Sequence, residues 1–151
     1  MSLRVRDANP FDVPALLDML RAYRSQTPLP FLAEADDAVY ITRLLTELMA
    51  GRGLVLVAED DLGVVGMFLA VIAPSLWSPK HLTMTEIAYW VNPDSRGGTA
   101  GYRLLSAYIE HGQALKEGGR ICSFAISKMA NSPDLKYERF GFAKLEETWV
   151  A

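Results

Sequence analysis

The chain is short of the residues that mark several functional classes. It has one cysteine, Cys122, and two histidines, His81 and His111, among 151 residues. A single cysteine cannot close an internal disulfide, which points to a reducing compartment, the cytoplasm by default. The histidines fall in different expected elements with no ligand pattern beside them, so no metal site is expected. No stretch approaches the ~20 apolar residues of a membrane-spanning helix. The opening Met1-Ser2-Leu3-Arg4-Val5-Arg6-Asp7 lacks the apolar core of a signal peptide. There is no basic excess either. A formal net charge of -3 argues against general nucleic-acid binding, which displays a basic face. No Gly-Lys-Ser/Thr ends a glycine-rich loop, and no Gly-x-Gly-x-x-Gly occurs, so P-loop and dinucleotide fingerprints are both missing.

What is present reads as a globular α/β chain. Half the residues are hydrophobic and 22% are charged, enough to enclose a core in a single domain over 1–151. Leu3-Arg4-Val5-Arg6 alternates like a short strand. A helix capped by Asp12 is expected to run to Tyr23, with Leu16, Met19, Leu20 and Tyr23 inward. Two prolines break the stretch 25–31, and a second helix over 37–49 turns Ile41, Leu44, Leu45 and Leu48 inward. The runs 54–59 and 64–72 flank Asp60-Asp61-Leu62-Gly63 as an antiparallel hairpin. An irregular bridge over 74–82 leads to a buried strand, 85–91. A helix from 99 or 100 to 117 follows, with Leu104, Leu105 and Tyr108 on its packed face. A strand at 120–126 would hold Cys122 as a small core residue. A short helical segment at 132–139 and a last strand at 144–149 complete the pattern. That terminal strand would leave an edge for a second copy to cover, as in a homodimer. Strands interleaved with helices imply a sheet flanked by helices, not a bundle.

The best-marked motif is Arg96-Gly97-Gly98-Thr99-Ala100-Gly101, set between the buried strand and the long helix. Free amides at a helix start can face phosphate oxygens, the helix dipole favours negative charge there, and Arg96 could add a charged contact. The plainer alternative is a turn whose glycines only avoid strain. With its flanks, Val91-Asn92-Pro93-Asp94-Ser95 before and Tyr102-Arg103-Leu104-Leu105 after, the segment resembles the acetyl-CoA signature of the GCN5-related N-acetyltransferase (GNAT) family. Arg96 and Gly101 stand at the first and last defined positions of its Arg/Gln-x-x-Gly-x-Gly/Ala core. Thr99 stands where the middle glycine is usual, and a threonine there could cap the helix. Tyr137-Glu138-Arg139-Phe140-Gly141-Phe142 is similar to a second family segment, and Asn131 resembles the asparagine that often precedes it. The resemblance follows the element order along nearly the whole chain.

The resemblance implies an acyl-CoA N-acyltransferase fold with a mixed, mostly antiparallel sheet. It implies transfer of an acetyl group from acetyl-CoA, the cosubstrate, to a primary amine in a ternary complex. Val91, Arg96, Gly97, Gly98, Thr99, Ala100, Gly101 and Asn131 would hold the cofactor. A main-chain amide near Tyr89 or Trp90 would polarise the thioester. Glu86, the lone carboxylate on the strand entering the site, is the candidate base; its alternative is a solvent-facing or Lys80- or Arg120-paired glutamate. Tyr137 is the candidate acid toward the departing sulfur, with aromatic packing beside Phe140 and Phe142 as the alternative. Phe31, Trp77, His81 and Trp90 could line an acceptor pocket, or plug the edge of the core. Small-molecule and protein amines are equally compatible with so small a net charge. A catalytically inactive acyl-CoA sensor or assembly domain on the same fold is the competing function.

Overall fold

In the computed structural model, which describes residues 2–151, five strands form one sheet in the order β1-β2-β3-β4-β5. β1 (Arg4–Asp7), β2 (Gly53–Asp60), β3 (Gly63–Ser75) and β4 (Ser78–Val91) pair antiparallel, and β5 (Ser123–Ala125) joins β4 in parallel. Helices α1 (Val13–Ser25) and α2 (Ala38–Glu47) pack on one face of the sheet, and α3 (Ala100–Glu117) on the other. The mixed, mostly antiparallel sheet flanked by helices is therefore present.

The two-residue period of a strand divides its side chains between the faces. On β2, Val55 and Val57 join Leu16, Met19, Leu45 and Leu48 under α1 and α2. Leu56 and Ala58 join Leu104, Leu105 and Tyr108 under α3. Covering both faces explains why this strand reads as an unbroken apolar run. Among the described residues, no helix is long and apolar enough to cross a membrane.

Several expectations are corrected. Asp12 does not cap α1 with its side chain. It accepts from the Asn9 amide at 2.8 Å and takes both Arg6 Nη atoms at 2.8 and 2.9 Å, while Arg6 also reaches Glu59. Arg6 thus ties β1 to β2 and to the turn before α1. Asp37 does cap α2, accepting from the Tyr40 amide at 3.0 Å. The bridge at 74–82 is strand, because β3 and β4 run on as a two-stranded arm to Leu76 and Trp77. Pro74 and Pro79 fit there because the arm outlasts its neighbours. β2 pairs β3 only as far as Val71, and β5 pairs β4 only from Thr83, so neither proline removes a bond to an outer strand. The helical segment at 132–139 shrinks to a 3-10 turn, Tyr137–Phe140, preceded by Lys136 at φ 58°. The strand expected at 120–126 keeps only its centre, and Cys122 is exposed. The last strand, 144–149, does not form. Lys144 instead pairs locally with Glu147, and Leu145 and Trp149 face solvent.

Candidate active site

The site lies where β4 and β5 diverge. Their pairing covers Thr83–Ser123, Met84–Phe124 and Thr85–Ala125, and β4 continues for six further residues, Glu86 to Val91, without β5 beside it. Tyr108, fully buried on α3, occupies the point of divergence. Its hydroxyl donates to the Ala125 carbonyl at 2.6 Å and lies 3.5 Å from that of Met84. Gly112, one turn along α3, seats β5. A Cβ there would lie 2.7 Å from the Phe124 ring, so only glycine permits this approach.

At the same point β4 carries a bulge. Leu69 faces Ala88 and Ala70 faces Glu86, leaving Ile87 with no partner on β3. Glu86 is consequently held inside the fork. It is 5% exposed, and its Oε2 accepts from the Ser127 amide at 3.1 Å across the gap. Burial pushes its carboxyl up to about 7, with the Ser127 bond opposing the rise. The cationic partners weighed from sequence are not used, since Arg120 donates to the Gly51 carbonyl instead. Tyr23, Tyr89, Tyr108 and Tyr137 all lie within the field of Glu86. Burial, with a smaller contribution from that charge, raises each phenol above its ordinary value. All four therefore stay protonated at neutral pH.

Tyr137 opens the 3-10 turn, half-buried, with its ring edge-on to Phe142 at 6.3 Å. Packing and proximity to Glu86 thus coexist at one residue. The rest of the motif turns at Gly141, whose φ of 91° suits glycine.

The turn after β4 is built to leave amides open. Ser95 and Arg96 donate to the carbonyls of Asn92 and Pro93, and Arg103 donates to Thr99. Between them the amides of Gly97, Gly98, Thr99, Ala100, Gly101 and Tyr102 have no acceptor among the described residues. Gly97 makes the bend at φ 90°. Thr99 occupies the N-cap without a side-chain cap bond, which corrects the expected capping role. The Tyr89 hydroxyl donates to the Gly101 carbonyl, fixing the mouth of α3 to β4. Arg96 folds back, its Nε on the Val91 carbonyl at 2.8 Å and its guanidinium 4.4 Å from the Trp90 ring centre. Asn131 donates from Nδ2 to the Gln26 carbonyl at 3.0 Å, tying the segment after β5 to the end of α1.

The four acceptor candidates do not come together. Trp77 caps the far hairpin arm, 89% exposed. It stands nine residues from Glu86 along one strand, roughly 30 Å at strand rise. His81 is exposed on the same arm. Trp90 is a core residue, 7% exposed, edge-on to Tyr23 at 6.2 Å, with its indole N–H on Asn92 Oδ1 at 3.1 Å. Phe31 is exposed in the turn before α2. The site instead recruits Tyr23, Tyr108 and the Ser127 amide. Nothing in local sequence separates the two tyrosines from ordinary core aromatics. Among the described residues no cluster of histidine, cysteine or carboxylates is fit to hold a metal.

A profile of the family described as "Acetyltransferase (GNAT) family" matches residues 16–142. Among curated proteins, none matches the chain significantly. The fold is similar to that of a transcriptional regulator from Bacillus halodurans C-125, at 21% identity and TM-score 0.73 over 99% of both chains. It is similar to an acetyltransferase from Trypanosoma brucei, at 18% identity and TM-score 0.71 over 99% of both. An aminoglycoside acetyltransferase from an uncultured soil metagenomic sample, in complex with sisomicin, aligns at 17% identity and TM-score 0.67, over 99% of this chain and 93% of that one.

Proposed function

The chain belongs to the GNAT family of acetyltransferases, and on that premise we propose that it transfers an acetyl group from acetyl-CoA to a primary amine by direct attack in a ternary complex. The observation that carries this is the run of six open amides, Gly97 to Tyr102, at the mouth of α3 and at the end of the unpartnered β4 segment. Six N–H groups without acceptors along one turn, with the helix dipole behind them, suit a pyrophosphate. The open flank of β4 suits the amide-bearing arm that joins a pyrophosphate to a thioester in CoA. Arg96, held by Val91 and Trp90, keeps Nη donors at the rim for phosphate oxygens.

Glu86 supplies the base. With its carboxyl at about 7, it is substantially ionised at neutral pH yet basic enough to take a proton from an ammonium group. An amide of Tyr89 or Trp90 polarises the thioester carbonyl as negative charge gathers on its oxygen. Tyr137, protonated at neutral pH, gives its proton to the departing sulfur. The nitrogen–carbon bond forms and the carbon–sulfur bond breaks. One ammonium proton leaves through Glu86, and the second replaces the proton given by Tyr137. Holding both reactants in one cleft supplies the remaining advantage.

The test is calorimetric titration with acetyl-CoA, then thiol release across a panel of amines. Tight binding with amine-dependent release is expected. Binding without release on any amine would favour the sensor reading, and failure to bind any acyl-CoA would overturn both.

A further inference from the structure

A cavity of about 240 Å³ opens on the α1–α2 side of β4, against the bulge beside Glu86. Its wall is apolar, built from Leu20, Tyr23, Leu32, Leu44, Ile87 and Ala88. Ile87 points into it because the bulge removes that residue from the ladder and turns it to the helical side. None of the four acceptor residues named from sequence lines it.

Its charges are unequal. Arg21 and Arg24 both border the cavity and share one carboxylate, Asp36, at 3.3 and 3.7 Å. Arg24 also donates to the Ala35 carbonyl at 2.9 Å. Asp18 lies 3.8 Å from Arg21, outside the lining. The lining therefore holds two guanidiniums against one carboxylate. Asp18, just outside, brings the carboxylates to two, so a ligand with several ammonium groups would find no free carboxylate there for its extra charges, in a space with few acceptors.

We propose, resting on the acetyltransferase reading, that the acceptor is a small monoamine carried on an apolar body, aryl or branched alkyl. Its body fills the cavity under α1 and α2, and its nitrogen meets Glu86 through the fork beside Ile87. Apolar burial supplies affinity and the single ammonium finds the single carboxylate of the fork. Tyr23 lines the cavity and also lies within the field of Glu86, whose charge adds to burial in raising its phenol to about 12. The products are the N-acetyl amide and the CoA thiol.

The experiment compares 2-phenylethylamine, spermidine and a lysine-containing peptide as acceptors for the full chain, with acetyl-CoA binding measured separately by calorimetry. The expected result is a kcat/KM for 2-phenylethylamine at least tenfold above either of the others. Ala35→Trp supplies a second arm, because Ala35 is exposed at the cavity rim and its bulk would fill the entrance without entering the core. It should lower kcat/KM for 2-phenylethylamine at least tenfold while the acetyl-CoA Kd stays within twofold. Preference for spermidine or the peptide, or equal turnover by Ala35→Trp, overturns the acceptor class while leaving the acetyltransferase reading intact. Acetyl-CoA binding with no turnover on any of the three overturns the acceptor class as well. Loss of acetyl-CoA binding in the unaltered chain is the separate failure of the function itself.

Discussion

Glu86→Gln isolates the consequence of burying a carboxyl inside the fork. The ordinary value of the group is 4.5 and its folded value is about 7. The folded chain therefore keeps a proton that the unfolded chain releases between those pH values. Its contribution is complete below about 4.5 and is lost as pH rises through 7. At 1.36 kcal/mol per pKa unit, the ionised group costs about 3 kcal/mol at pH 8. Glutamine keeps an oxygen for the Ser127 amide and never ionises. Its extra N–H₂ adds a penalty of about 1–3 kcal/mol if unpaired, but that penalty is independent of pH. The informative quantity is thus the variant-minus-wild-type stability at pH 8 less the same difference at pH 4.5. Urea unfolding at the two pH values should give about 3 kcal/mol in favour of the variant. In thermal melts this is roughly 6–12 °C for a chain of this size. Activity should move the other way, with kcat/KM down about 10²–10⁴-fold. Wild-type kcat/KM should rise with pH through a midpoint near 7. Parallel pH–stability curves for the two proteins would refute the reasoning, because Glu86 would then titrate like a solvated carboxyl.

Tyr137→Phe should leave the melting temperature nearly unchanged and reduce kcat about 100-fold with a good acceptor; an undiminished kcat would remove Tyr137 from the chemistry. Gly112→Ala should destabilise by about 1–3 kcal/mol in urea, because its methyl group meets the Phe124 ring. Amide exchange should locate the loss at β5. Arg6→Ala should cost about 3 kcal/mol at pH 7 by leaving buried Asp12 without its guanidinium. Arg6 holds the Asp12 and Glu59 carboxyls below their ordinary values, so this stabilisation is present above about pH 4 and fades as acid protonates them. Unfolding curves at pH 7 and pH 3 should show the variant's deficit shrinking in acid.

The elements most legible in sequence were those with a strong local period or punctuation. The long helix was placed within a residue by its glycine-rich entry and Gly118 exit, and the 53–75 hairpin by Asp60-Asp61-Leu62-Gly63. The far arm of that hairpin was missed because Pro74 and Pro79 argue against strand unless one knows that the arm has no outer neighbours. The segment 144–149 includes Thr148 and Trp149 but pairs with no strand, and propensity alone does not make a ladder. At the site, the open amides and Glu86 could be read from a strand–turn–helix pattern. The roles of Tyr23, Tyr108 and Ser127 could not, because each depends on residues between 17 and 63 positions away that only the folded sheet brings near.

The unpaired Ile87 has an arithmetical effect on the strand that holds it. Met84 and Trp90 are both even-numbered, yet the first packs under α3 and the second under α1 and α2. One supernumerary residue exchanges the α3 face for the α1–α2 face partway along β4. Chain length there is accordingly quantised. Losing Ile87 alone would close the bulge and leave Ala88 and Trp90 on the α1–α2 face, whereas one residue added within 88–90 without a second bulge would carry Trp90 to the α3 face. Adding residues in pairs at the Leu76–Trp77 tip would leave every side chain where it is. Evolution can lengthen that outer loop freely, but the stretch leading to the glycine-rich turn has to keep the parity that places Trp90.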